Sequence, residues 1–303
     1  MSTSRTGRAA AAPALFVLLW STGFVGAKYG LPYAEPFTFL ALRLVIAGAL
    51  LGMLAALTRS AAPAGSQYRA AAVAGVLLHA CYLGGVFFAI DRGMPASVAA
   101  VVTSLQPVLT AALANRLLGE RLVGTQWLGF ALGVAGVALV LAPGVAAAAG
   151  DPGGLPRTGV VTCFLALAAG TVGTLYQKRH GDRVPLLSGT AVQYAAAALV
   201  LLAAAALTET WAISWTPRFV GALVWLVVVL SLGAVLLLLV LLRRGSAGAV
   251  SSLLYLVPPV TAVEAYLLFG EALPPVSLLG IAVTAAGVAL VLRPPRPRTV
   301  AAV

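Results

Sequence analysis

The chain has 303 residues, 61% of them apolar and 9% charged, with a mean hydropathy of +1.03 and a net charge of +11. These values exclude a soluble globular protein and point to an integral membrane protein. The basic excess lies in short loops between apolar stretches, so it reports topology and excludes nucleic acid as a partner.

A helix that crosses a bilayer needs about 20 mostly apolar residues. Charged and Pro/Gly-rich breaks divide the chain into ten such stretches, near 10–28, 36–57, 69–90, 96–118, 123–142, 157–178, 186–207, 217–241, 247–269 and 275–292. The expected fold class is therefore an all-α membrane protein with ten transmembrane helices. Arg5 and Arg8 precede the first stretch as they would in a signal peptide, but nine spans follow, and it reads as an uncleaved helix. Cys81 and Cys163 both fall inside spans, which indicates neither a disulfide framework nor a metal site. No cofactor is implied.

Polar groups inside a membrane are costly and tend to face a cavity or one another. In chain order they are Trp20 in span one, Arg43 in span two, His79 and Tyr82 in span three, Thr103 and Gln106 in span four, and Tyr255 and Glu264 in span nine. Counting helix rise inward places Trp20, His79, Gln106 and Tyr255 near mid-membrane. Thr103, Gln106 and Thr110 follow i, i+3, i+7 spacing and share one face of span four. Pro107, Pro258 and Pro259 remove backbone hydrogen bonds and leave carbonyls open to a ligand or a neighbouring helix. Trp20, His79, Tyr82, Thr103, Gln106 and Tyr255 form the expected substrate-binding set. Plainer roles stand beside it: packing for the aromatics, a helix-bonded neutral imidazole for His79, and hydroxyls bonded back to their own helix for the threonines. Arg43 lies about 10 Å and Glu264 about 8 Å below the outer surface. They either pair as a gate, or Arg43 snorkels and Glu264 bonds elsewhere; a gating or structural role is favoured over direct substrate binding. Gly26 with Gly30, Gly48 with Gly52 and Gly129 with Gly133 are small-residue pairs suited to close helix packing.

Residues 92–143 and 243–294 are two copies of one sequence, 151 positions apart. Gly136 to Leu141 recurs letter for letter at Gly287 to Leu292. The same offset pairs Pro107 with Pro258, Gly119-Glu120 with Gly270-Glu271, and Gly129 with Gly280. With five spans in each half, the second copy runs through the membrane in the opposite sense, giving two inverted five-helix repeats, 1–148 and 149–303. The Ala/Gly/Pro-rich stretch 144–156 joins them. A cytoplasmic amino terminus puts fourteen basic residues inside against four outside (Lys28, Arg92, Arg157 and Arg218), with Arg43 in a span. Both termini are accordingly expected in the cytoplasm and the protein in the cell's inner membrane.

Trp20-Ser21-Thr22-Gly23-Phe24, Pro36 followed by Arg43, and the duplicated Pro, Gly-Glu and Gly-x6-Gly-Val-x-Leu elements resemble the EamA-type transporters of the drug/metabolite transporter superfamily. The resemblance spans nearly the whole chain. It implies two inverted five-helix bundles around a central cavity, with the fifth and tenth helices peripheral, and transport of small metabolites, often amino acid efflux. The second half departs from the pattern: Ala169-Gly170-Thr171-Val172 stands at the Trp20 region, and Gln193 falls close to where Arg43 would repeat.

The expected function is a secondary transporter exporting amino acids or related small metabolites by alternating access. A drug or nucleoside permease is the alternative, and a channel or other membrane protein a weaker one. No H-E-x-x-H, G-x-S-x-G or Walker loop is present, so neither an enzyme nor direct ATP drive is expected. The expected partners are a small-molecule substrate and the lipid bilayer, with self-association into a homo-oligomer left open.

Overall fold

A computed structural model describes residues 3–117, 124–148, 154–181, 183–234, 237 and 253–291; the side chains of 3–14, 114–117, 145, 147, 148 and 255 lie outside that description. Among these residues, besides two 3-10 turns, eleven helical elements follow in order: α1 Thr3–Gly30, α2 Pro36–Leu57, α3 Ser66–Asp91, α4 Ala96–Thr103, α5 Gln106–Leu117, α6 Gly124–Ala148, α7 Arg157–His180, α8 Leu186–Thr208, α9 Pro217–Ala234, α10 Val257–Phe269 and α11 Pro275–Val291. Among the described residues the extended pairing is a single antiparallel bridge, Ala34 with Ile213. Among the described residues seven helical stretches are long and apolar enough to cross a membrane: α2, α3, Ala96–Leu113, Gly124–Gly144, α7, α8 and α9. The apolar α10 and α11 are shorter. The expected spans 217–241 and 247–269 run into residues outside the description.

The helices begin and end where side-chain chemistry dictates. Pro36 and Pro217 occupy first-turn positions, where a missing N–H costs nothing, and the Thr216 hydroxyl accepts from the Phe219 amide at 3.2 Å. Gly270 ends α10 in the left-handed region at φ 66°, a conformation that favours glycine. The expected fourth span is broken: Ser104 and Leu105 form a turn between α4 and α5. Pro107 lies just beyond, and without an amide hydrogen it cannot bond the Thr103 carbonyl. A 3-10 turn, Leu254–Leu256, likewise precedes Pro258 and Pro259. Two helices also widen into π geometry, α3 over Val76–Leu83 and α9 over Trp225–Ala234. Such departures from the regular helix cluster at functional sites.

Two pairs of helices 151 positions apart in sequence lie against each other: α6 against α11 and α2 against α8, while α10 lies against both α1 and α4. The α6–α11 seam is made of glycine. A Cβ on Gly129 would stand 2.6 Å from the Gly287 carbonyl oxygen, and one on Gly136 2.6 Å from that of Gly280; both relations hold in reverse at the same 2.6 Å. Low numbers on α6 meet high numbers on α11, so the two helices are antiparallel at this seam. The main core gathers Phe39, Leu40 and Leu44 of α2, Phe87 of α3, and Phe219 and Leu226 of α9. A smaller cluster joins Phe16 and Val17 of α1 to Val257 of α10, with Trp20 packed on it.

Candidate functional site

Arg43 sits on α2, facing α8 and α9, and is only 4% exposed. Its Nε donates to the Ser231 hydroxyl at 3.2 Å, and Ser231 lies in the π stretch of α9. Tyr194 and His79 both lie within electrostatic reach of the guanidinium. His79, in the π stretch of α3, points Nε2 at Gln193 Oε1 at 3.3 Å, and its ring stands edge-on to Tyr194 at 4.8 Å. The amide oxygen only accepts, so Nε2 carries the proton and Nδ1 presents a lone pair. That Nδ1 is buried with no hydrogen-bond partner among the described residues. Arg43, Ser231, Tyr194, Gln193 and His79 thus form one polar island inside an apolar bundle.

A second island lies at the broken helix. Gln106 Nε2 donates to the Gly170 carbonyl at 3.2 Å and to the Thr174 hydroxyl at 2.7 Å, tying α5 to α7. A Cβ on Gly170 would come within 3.0 Å of the Tyr82 ring and 3.1 Å of Gln106 Oε1, so these side chains share one spot. Thr103 bonds back to the Ala99 carbonyl at 2.8 Å, and Thr110 Oγ1 is buried without a partner among the described residues.

Glu264 does not meet Arg43. Its Oε1 accepts from the Ser21 hydroxyl of α1 at 2.8 Å, and its Oε2 is buried without a partner among the described residues. Equal depth fixes height in the bundle but not which helices are neighbours: α10 faces α1 and α4, whereas Arg43 faces α8 and α9. Nor does Arg43 snorkel, since it is sealed by the core. Trp20 stacks at a tilt on Phe16, 5.2 Å between ring centroids. The Tyr255 side chain lies outside the described residues.

The sequence alone gave Ser231 and Tyr194 no role, since each is one polar letter in a long apolar run. The repeat offset held a clue: position 194 is the counterpart of position 43, and the two side chains face each other. Glu271 was visible as half of a repeated Gly-Glu, but not its task. It accepts from Lys28 Nζ of α1, from the Ala96 amide at 3.1 Å, from the Ser97 amide at 3.4 Å and from the Ser97 hydroxyl at 2.8 Å. One carboxylate therefore neutralises a lysine and caps the start of α4. Glu209 likewise caps the start of α2, taking the amides of Phe37 and Thr38, each at 2.7 Å.

Two open grooves flank the bundle. One, about 520 Å³, lies between α2 and α8 and is lined by Leu44, Val45, Gly48, Ala191 and Ala195. The other, about 470 Å³, runs between α10 and α11 under Glu271. Both are walled mainly by aliphatic side chains and suit acyl chains better than a polar cargo.

The model of the EamA-like transporter family matches residues 9–142 and again residues 157–293. The uncharacterized transporter YvbV of Bacillus subtilis is 28% identical over 92% of this chain and 89% of its own length. The uncharacterized inner membrane transporter YedA of Escherichia coli is also 28% identical, over 92% and 88%. A probable terminal-alkyne amino-acid exporter of Streptantibioticus cattleyicolor is 30% identical over 66% of this chain and 65% of its own. A solved crystal structure superposes with a TM-score of 0.64 at 24% identity, covering 94% of this chain and 96% of the other, which establishes likeness of fold.

Proposed function

Because the chain belongs to the EamA-like transporter family and is a multi-pass membrane transporter, we propose that it is a secondary carrier exporting amino acids or closely related metabolites by alternating access. In this reading ten transmembrane helices form two inverted five-helix halves, 1–148 and 149–303, and both termini lie in the cytoplasm of a cell whose inner membrane holds the protein. The observation that carries it is the reciprocal glycine seam, in which Gly129 meets Gly287 and Gly136 meets Gly280. Helices related by the 151-residue offset touching antiparallel at matched glycines is what an axis between inverted halves produces. The meeting of positions 43 and 194 supports the same axis. For cargo, the support is the relative named as an amino-acid exporter.

Reconstitution into liposomes tests this reading. Preloading with an unlabelled L-amino acid should drive transient uptake of the same labelled amino acid, and flux should saturate. Non-saturating flux without counterflow would indicate a channel and overturn the carrier mechanism. Counterflow with nucleosides alone would keep the carrier and replace the cargo.

A further inference from the structure

We propose that Arg43 is the binding group for a carboxylate on the transported molecule, with Ser231 fixing the guanidinium and His79 Nδ1 accepting a hydrogen bond from a donor next to that carboxylate. The inference rests on the carrier reading above and adds to it a site and a ligand class.

A guanidinium keeps its charge at any physiological pH and has five N–H donors. Here it is almost wholly enclosed, yet its one hydrogen bond among the described residues goes to a neutral hydroxyl. The five described acids are all engaged elsewhere: Glu35 with Thr210, Asp91 with Arg92, Glu209 with α2, Glu264 with Ser21, and Glu271 with Lys28 and α4. An enclosed cation with no counter-ion among the described residues is strongly unfavourable in a membrane interior, and such groups mark substrate pathways. An arriving anion removes the imbalance.

The fork of a guanidinium matches a carboxylate in a planar, two-bond arrangement. The second polar atom awaiting a partner in the island is an acceptor, His79 Nδ1. An α-ammonium or α-hydroxyl group beside a carboxylate supplies the donor it needs; chloride does not. The island therefore reads two adjacent groups of opposite hydrogen-bonding sense. The π segments of α3 and α9 that present His79 and Ser231 give two of its walls a backbone that deviates from the regular helix at this very spot.

The test is thermal stabilisation of the intact protein in lipid nanodiscs by six sets of probes: the proteinogenic L-amino acids, the carboxamides of these and of the hydroxy acids, simple α-hydroxy acids, the same acids without the α-hydroxyl, uncharged nucleosides, and sodium phosphate or chloride. At least one compound of the first or third set should stabilise the wild type while its carboxamide does not. Arg43→Gln should weaken that binding at least about 30-fold, Arg43→Lys should retain part of it, and His79→Phe should discriminate less between α-hydroxy acids and acids without the α-donor. Should Arg43→Gln fail to fold, Ser231→Ala, which leaves the charge in place, should still weaken binding several-fold. Equal stabilisation by acid and carboxamide, binding confined to nucleosides or inorganic ions, silence of every carboxylate, or full affinity in Arg43→Gln or Ser231→Ala overturns the proposal. Carboxylate binding without saturable flux in liposomes would defeat the carrier reading and leave the site standing.

Discussion

Glu271 holds four donors with two oxygens, and its titration follows from that. Burial alone would push its carboxyl up. The hydrogen bonds from Lys28, Ser97 and the Ala96 amide, together with the lysine charge, outweigh burial and hold it below the usual carboxylate value. A lowered folded-state value means stabilisation that is present above the unfolded value and lost as pH falls through the folded one. The melting temperature of the wild type should therefore stay level from about pH 8 to about pH 5 and drop below about pH 4. Glu271→Gln should lack that acid limb and be less stable at neutral pH by about 1–3 kcal/mol; an acid limb unchanged in the variant would remove Glu271 from this role. Gln106→Ala frees the Thr174 hydroxyl and the Gly170 carbonyl, and differential scanning fluorimetry should show a loss of about 1 kcal/mol. The bond pattern makes Gln106 a tie between α5 and α7 first, and any contact with cargo is secondary to that. Depth arithmetic named the polar residues but left open whether Arg43 and Glu264 pair, because a helical rise gives height and says nothing of azimuth. Arg43 and Glu264, expected at one level, belong to different neighbourhoods.

Helix boundaries were the most legible part of the chain, since apolar length is written directly into it. The expected stretch 36–57 coincides with α2 at both ends. The break between α4 and α5 was half legible: Pro107 announced a lost hydrogen bond, but only packing decides that Ser104 and Leu105 leave the helix. The π stretches had no signal in sequence, because inserting one residue into a turn changes neither composition nor hydropathy. Among the glycines, space separates the tight from the loose. A Cβ on Gly136 would lie 2.3 Å from Thr284 Oγ1 and 2.6 Å from the Gly280 carbonyl, whereas one on Gly52 has nothing within 4 Å. Gly136→Val should therefore abolish folded yield or cost several kcal/mol, and Gly52→Ala should leave yield and melting temperature unchanged. Size-exclusion profiles of the two variants side by side check this contrast.

For the whole molecule, the repeat was the feature that reached furthest, since a fixed offset constrains topology and pairing together. It brought Gly129, Gly136, Gly280 and Gly287 to notice, and these four form the seam. The offset did not identify the clasp at Glu271, because its other members, Lys28 and Ser97, carry no signature of their own. Orientation in the membrane rests on the fourteen-to-four basic asymmetry. A membrane-impermeant thiol reagent applied from outside should label Ala149→Cys and spare Gly181→Cys; the opposite pattern would invert the assignment.

The glycine seam also bears on which part of the protein would stay still in the proposed alternating-access cycle. Backbones that touch with no side chain between them leave little room to slide or roll, so in that cycle α6 and α11 are expected to act as the fulcrum about which the other helices rock. The Ser277 hydroxyl of α11 already bonds the Val140 carbonyl of α6 at 3.2 Å, marking where the two can be stitched together. Oxidising a pair made by Val140→Cys and Ser277→Cys should leave counterflow at its wild-type rate, as a weld at a pivot does. Arrest of flux by that bond, reversed on reduction, would move the pivot elsewhere.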